Sequence, residues 1–107
     1  MLKEVLKRSG HEVWEASNGT GVCDMYEKQG FDLVVTDLVM PNIEGLEVIM
    51  DLRRIDRTVR IIAISGGGQS KATDYLRLAK KLGVQLTLAK PFGNQQFLEA
   101  VSQVLET

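Results

Sequence analysis

The stretch FDLVVTDLVMPNIEGLEVI, residues 31–49, decides the predicted fold. It opens with an apolar run, residues 31–36, that has hardly any polar alternation, which predicts a parallel strand buried on both faces. Asp37 follows directly, where this strand is about to end. After Pro41 and Asn42, residues 43–55 predict a helix, with Val48, Leu52 and Ile55 on one side. The stretch therefore predicts a strand followed by a helix, with a carboxylate at the carboxyl end of the strand.

The same alternation of strand and helix patterns extends along the rest of the chain. Gly10, Gly30 and Gly83 end three of the predicted helices. Because each strand is followed by a helix, the order αβαβαβαβα predicts an α/β fold, a doubly wound parallel sheet with helices on both faces. The other predicted strands are residues 12–16, 60–65 and 85–89, and the other helices are 1–9, 20–29, 70–82 (with Tyr75, Leu78, Ala79 and Leu82 facing inward) and 94–105.

Composition and charge exclude several classes of protein. The chain has 107 residues, enough for one domain with one core. Its net charge of −1 gives no electrostatic reason to expect direct contact with nucleic acid or with a membrane. The apolar runs are too short to span a membrane. Cys23 is the only cysteine, which excludes an internal disulfide and fits a reducing, cytoplasmic setting.

Three polar residues come at the ends of three predicted strands: Asp37, Ser65 and Lys90. Taken singly, they fit a helix cap, a turn former and a solvated strand terminus. The parallel topology, however, brings the carboxyl ends of the strands to one edge, where ligands bind. A carboxylate there can accept a phosphoryl group, bind a metal or act as a base. We expect a hydroxyl and an ammonium beside this carboxylate, and the backbone of Gly66 is open to an anion. Together these groups predict a phosphoryl-aspartate site.

Four motifs in order resemble the receiver domains of response regulators. Residues 37–41, DLVMP, are similar to the D-x-x-M-P signature of that family, with Gly45 at the usual distance. Ser65 and Gly66 resemble its Ser/Thr and small-residue pair, and residues 90–92, KPF, resemble its lysine–proline motif with a following aromatic residue. Residues 10–19, GHEVWEASNG, resemble the region around the family's second strand. The resemblance spans essentially the whole chain.

The resemblance implies a flavodoxin-like fold with strand order 2-1-3-4-5 and a non-enzymatic role in two-component signalling. Asp37 would take a phosphoryl group from the phosphohistidine of a sensor histidine kinase or a phosphotransfer protein. Ser65, Gly66 and Lys90 would contact that group, and Mg²⁺ would be held by Asp37 and the backbone carbonyl of Val39. The new charge would shift the surface of the family's fourth helix, fifth strand and fifth helix, and so alter the binding of an output partner or effector domain.

Two features depart from the family pattern. The family's first strand, which ends in the acidic pair that holds the metal, has no counterpart in residues 1–107, and Met1 falls inside the expected first helix. We therefore expect residues 1–107 to be an N-terminally truncated receiver domain, a fragment or a chain with a misassigned start, unless the sheet closes up or pairs with a second copy as a homodimer. In addition, Thr87 occupies the switch position, where receivers often carry an aromatic residue that rotates on activation.

Two other functions stay open at this stage. A degenerate receiver-like interaction or dimerisation module, never phosphorylated, is favoured by the missing acidic pair. An FMN-binding flavodoxin-like enzyme shares the topology, but the glycine-rich residues 66–68 follow a late strand and no phosphate loop follows a first strand. The phosphorylated receiver domain is therefore the leading hypothesis.

Overall fold

The computed structural model describes residues 2–15, 19–38, 43–65 and 77–106, without the side chains of residues 2, 19, 20, 37, 38, 43–45 and 65. Helices and strands alternate along this part of the chain. The helices are α1 (Leu2–Arg8), α2 (Gly19–Gln29), α3 (Ile43–Ile55), α4 (described over residues 77–81) and α5 (Asn94–Leu105). The strands are β1 (Val34–Leu38), β2 (Ile61–Ser65) and β3 (Leu86–Ala89).

The three described strands form a parallel sheet in the order β1-β2-β3. β2 is the central strand, and residues 61–64 of it have no exposed surface. An all-apolar strand is stable there because helices cover both faces of the sheet. This arrangement confirms the predicted α/β class and matches the adjacent third, fourth and fifth strands of the flavodoxin-like order.

The apolar core has two parts, one on each face of the sheet. Ile61 and Ala63 of β2 pack with buried residues of α2, α3 and α4. Ile62 and Ile64, which point to the other face, pack with α5 and with partly buried residues of α1. The predicted helices on both faces are therefore confirmed.

The helix pattern gave accurate bounds, but the predicted strand bounds were shifted. Residues 43–55 and 94–105 are helical as predicted. β1, in contrast, begins at Val34 rather than at residue 31. Gly30 ends α2 with a φ of 68°, and the chain first pairs with its neighbour at Val34, whose N–H donates to the carbonyl of Arg60, the residue before β2 (2.9 Å). The strand then extends to Leu38, so Asp37 lies within the strand and not after it.

Two sequence predictions were wrong. Residues 12–15, the described part of the strand predicted at residues 12–16, have no strand structure. β1 is the end strand of the described sheet, and no described strand lies beyond it to supply their hydrogen-bond partners. Leu78, predicted to face inward, is 46% exposed, because its neighbour Ala79 takes the buried position on α4 and is completely buried. Tyr75, from the same prediction, lies outside the described residues.

Candidate functional site

The carboxyl ends of the three strands lie in one row across the sheet. Leu38 of β1 is in register with Ser65 of β2, and Ser65 is in register with Ala89 of β3. Asp37 therefore lies one residue before this row, and Lys90 one residue after it. Since neighbouring strands are roughly 4.8 Å apart, the row is about 10 Å wide. The structure thus brings three backbone positions that are remote in sequence to one edge of the sheet.

The described residues give a partial view of this edge. Lys90 is exposed and is joined to Pro91 by a cis peptide bond. The side chains of Asp37 and Ser65, and all of Val39 and Gly66, lie outside the described residues. The backbone placement agrees with the predicted site, and the roles of these five residues remain a prediction.

The segment that carries Lys90 is attached to the core by an aromatic pair. Phe92 stacks on Phe97 of α5 with ring centroids 6.0 Å apart and an angle of 25° between the rings. Phe97 is completely buried, and Phe92 packs against the same apolar cluster. Offset aromatic pairs of this kind stabilise a contact beyond the burial of area alone. Phe92 therefore fixes the turn that follows β3.

Thr87, the residue at the predicted switch position, lies in the middle of β3. It is in register with Ala63 of β2 and is half-buried. A threonine side chain is too small to alternate between a buried and an exposed rotamer in the way a tyrosine or phenylalanine ring can. Its role in transmitting a signal stays a prediction.

The opposite edge of the sheet carries a polar network that sequence patterns did not reveal. Tyr26 of α2 donates a hydrogen bond to Asp56 (2.8 Å), and Asp56 also accepts from the backbone N–H (2.9 Å) and hydroxyl (2.6 Å) of Thr58. The bonds from the hydroxyl and amide of Thr58, followed by that from Tyr26, lower the pKa of Asp56 below its ordinary value. Burial, with the bond to Asp56, raises the pKa of Tyr26 to about 12.

The network has one local sequence signal. Asp56 and Thr58 are two residues apart, the spacing of a turn in which an aspartate accepts from the backbone ahead of it. Its partner Tyr26 is thirty residues away in sequence, and no local pattern links the two. The network joins α2 to the loop before β2, so it supports the sheet from the edge opposite to the candidate site.

Metal ligands are also predicted at the candidate site. Among the described residues, no group of three or more histidine, cysteine, aspartate or glutamate side chains is placed to hold a metal ion. The predicted ligands, Asp37 and the carbonyl of Val39, are two oxygen donors. Mg²⁺ commonly uses one or two carboxylates and completes its shell with water and phosphate oxygens. The two predicted ligands therefore fit Mg²⁺ only when such oxygens complete the shell.

The fold is a parallel α/β sheet whose carboxyl edge carries the backbones of Asp37, Ser65 and Lys90. Comparison with known proteins identifies the family: the model for the response regulator receiver domain matches residues 1–102. The chain belongs to the response regulator receiver domain family. It is therefore a signalling module of two-component systems, in which receiver domains act as phosphoacceptors and generally depend on Mg²⁺.

Individual relatives agree with this assignment. The chain is 35% identical over 107 residues to the chemotaxis protein CheY of Bacillus subtilis, an alignment that covers 98% of this chain and 86% of the relative. It is 30% identical over 105 residues to sporulation initiation phosphotransferase F of the same organism, covering 98% and 82%. A crystal structure of a response regulator from Thermotoga maritima has the same fold, with a TM-score of 0.84 at 23% identity, covering 99% of this chain and 86% of that one.

The structure also bears on membrane association. Among the described residues, no helix combines the length and the apolar composition that crossing a membrane requires.

Proposed function

We propose that this receiver domain accepts a phosphoryl group on Asp37 and thereby changes its affinity for an output partner. The observation that supports the proposal is the register of the three strands, which gathers the backbones of Asp37, Ser65 and Lys90 at one edge. The donor is the phosphohistidine of a sensor histidine kinase or of a phosphotransfer protein. The acceptor is the receiver domain that this chain forms.

The proposed transfer follows from the chemistry of the three side chains. A carboxylate oxygen of Asp37 attacks the phosphorus of phosphohistidine, the new O–P bond forms, and the P–N bond breaks with the electron pair left on the imidazole nitrogen. The ammonium of Lys90 offsets negative charge on the transferred group, and the hydroxyl of Ser65 donates a hydrogen bond to one of its oxygens. Gly66, which has no side chain, leaves its backbone N–H accessible to the same oxygens.

Mg²⁺ supplies neutralisation of the charge on the phosphoryl oxygens when it is bound. Asp37 and the backbone carbonyl of Val39 are the residues of this chain that would hold it.

The proposed output surface is made by α4, β3 and α5. Its described parts include exposed positions on α4, such as Leu78 and Lys81, and on α5, such as Glu99 and Ser102. A phosphoryl group at Asp37 carries close to two negative charges in place of the single charge of the carboxylate, and it extends that charge beyond the end of the sheet. We expect this charge to shift the end of β2 and with it the adjoining α4, and so to alter the binding of a partner or effector domain.

Labelling the complete gene product with a small phosphodonor, such as acetyl phosphate, in the presence of Mg²⁺ tests the proposal. We expect mass spectrometry to find one phosphoryl group on Asp37, and Asp37→Asn to abolish the label. Asp32→Asn is the matched control, because Asp32 is an exposed carboxylate just before the other end of β1. Its label should match that of the parent.

Two results would contradict the proposal. A label on another residue would reject Asp37 as the acceptor. A parent protein that takes no label, either from the phosphodonor or from a phosphorylated kinase, would favour the alternative of a degenerate receiver domain that acts by binding or by dimerisation alone.

A further inference from the structure

Two side chains hold the segment that leads into β3, at the sheet edge opposite to Asp37. We call Arg53, Gln85 and the backbone groups they bind the β3 brace. Arg53 lies on α3, and Gln85 immediately precedes β3. Both are partly buried, and both bind backbone atoms rather than other side chains.

Gln85 extends the pairing between β3 and β2 by means of its side chain. Its backbone N–H donates to Ile61 C=O (3.2 Å), as in an ordinary parallel ladder. Its side-chain oxygen accepts from Ile61 N–H (2.8 Å), and its side-chain nitrogen donates to Val59 C=O (3.2 Å). A carboxamide has one acceptor and two donor hydrogens, so it can replace the backbone groups that a longer strand would supply.

Arg53 holds the turn just before Gln85. Its guanidinium donates to the carbonyls of Leu82 (3.3 Å), Gly83 and Arg57 (2.5 Å), of which the first two follow α4. Gly83 has a φ of 94°, and a Cβ placed there would lie 2.6 Å from a guanidinium nitrogen of Arg53. A methyl group at Gly83 would therefore require the guanidinium of Arg53 to move.

The register of β3 matters because Lys90 follows its last residue. β3 has four residues and, in the described sheet, pairs with β2 alone. Gln85 and Lys90 are five positions apart, which is about 17 Å along an extended chain. A slip of one residue would move Lys90 by about 3.3 Å and would turn every side chain of the strand to the opposite face.

We propose that the β3 brace positions Lys90 for phosphoryl transfer by fixing the register of β3 from the far edge of the sheet. Gln85 and Arg53 act through Lys90 and never touch the phosphoryl group, so they are positioning residues. The inference deepens the proposed function and rests on it. It assigns a role in that function to two residues that are remote from the candidate site.

A double-mutant cycle on the complete gene product tests this inference. The rate of Asp37 phosphorylation by acetyl phosphate with Mg²⁺ is measured for the parent, Gln85→Leu, Lys90→Ala and the double variant. We expect Gln85→Leu to slow labelling about tenfold in the parent but less than about twofold when Lys90 is absent, because the loss operates through the position of Lys90. Gln95→Leu, which removes an exposed amide on α5, is the matched control and should change neither rate.

A second variant covers the case in which Gln85→Leu does not fold, as judged by loss of a cooperative urea transition. Arg53→Met keeps an unbranched apolar stem of similar direction and removes only the guanidinium. It should slow labelling about threefold in the parent and should have no further effect in Lys90→Ala.

The outcomes separate the two proposals. If the parent is not labelled at Asp37, the proposed function fails. If the parent is labelled at Asp37 but Lys90→Ala labels at the parental rate, Lys90 does not act in the transfer and this inference is overturned. If those two results are as expected, the variants Gln85→Leu and Arg53→Met decide this inference. An unchanged labelling rate in both variants, or an equal decrease with and without Lys90, would show that the brace does not act through Lys90 and would overturn this inference alone.

Discussion

Gly83→Ala perturbs the β3 brace at a position where the cost can be worked out from the structure. Gly83 has a φ of 94°, and Gly10 has a φ of 91° with no atom within 4 Å of the position that a Cβ would occupy. An L-residue in this region costs about 1 kcal/mol or slightly more. At Gly83 the new methyl group would also displace the guanidinium of Arg53, which lies 2.6 Å away.

The displacement adds a second cost. The carbonyls of Leu82 and Gly83 would lose their bonds from Arg53, each worth about 0.5–1.5 kcal/mol in general. Because this region is largely exposed, water replaces part of that loss, and we take about 1 kcal/mol for the pair. Gly83→Ala should therefore lower the free energy of unfolding by about 2 kcal/mol, against about 1 kcal/mol for Gly10→Ala.

Urea unfolding followed by circular dichroism measures the two variants side by side. The additional cost of about 1 kcal/mol at Gly83 corresponds to a melting temperature lower by about 4–8 °C for a domain near this size. In an Arg53→Met background the additional cost should vanish, and Gly83→Ala should then cost the same as Gly10→Ala. Equal costs at the two glycines in the parent would refute the account of the brace, because the steric conflict with Arg53 would then have no energetic weight.

Two further predictions concern titrating groups at the edge opposite to the candidate site, and a third concerns the cysteine. Hydrogen bonds from Thr58, and then from Tyr26, lower the pKa of Asp56. The contribution of Asp56 to stability is therefore present above the ordinary carboxyl pKa and is lost as the pH falls through the lower folded-state value. Urea unfolding between about pH 7 and pH 3 should show this loss, and Thr58→Val should reduce it. The pKa of Tyr26 is raised to about 12, so its contribution is lost as the pH rises from about 10 towards that value, and Tyr26→Phe should remove this alkaline dependence. Burial, and then the negative charge of Asp51, raise the pKa of the Cys23 thiol. Near neutral pH, iodoacetamide should therefore modify Cys23 more slowly than an unhindered thiol. Asp51→Asn should speed the reaction, and an unchanged rate would count against the electrostatic effect.

The sequence predicted the class of fold because its signals are local. The helices at residues 43–55 and 94–105 were predicted at their observed bounds, since an apolar stripe with a period of 3.6 is written in one segment. The apolar runs of β1 and β2 likewise showed that two faces of a sheet are covered. The residue types at the strand ends predicted the candidate site, and the roles of those residues stay a prediction.

The strand predicted at residues 12–16 is absent over its described part, residues 12–15, and the reason is again that the signal is local. Residues 12–14, EVW, alternate as a strand does, but a strand also requires a neighbour to hydrogen-bond with, and none of the described strands is placed beside it. Trp14 remains 50% exposed and contacts the ring of Phe31 at 6.4 Å between centroids. Local pattern alone could not exclude this outcome.

What the sequence by itself determined is therefore the alternation of helices and strands from α2 onwards and the two-faced burial of the sheet, while the chemistry at its edge stays a prediction. Only the tertiary structure decided the register, which sets Leu38 beside Ser65 and Ser65 beside Ala89, and the β3 brace that joins α3 to a segment about thirty residues away. The physical reason is that periodicity depends on neighbours along the chain. Register and the hydrogen bonds of Arg53 and Gln85 depend instead on partners that only folding brings together.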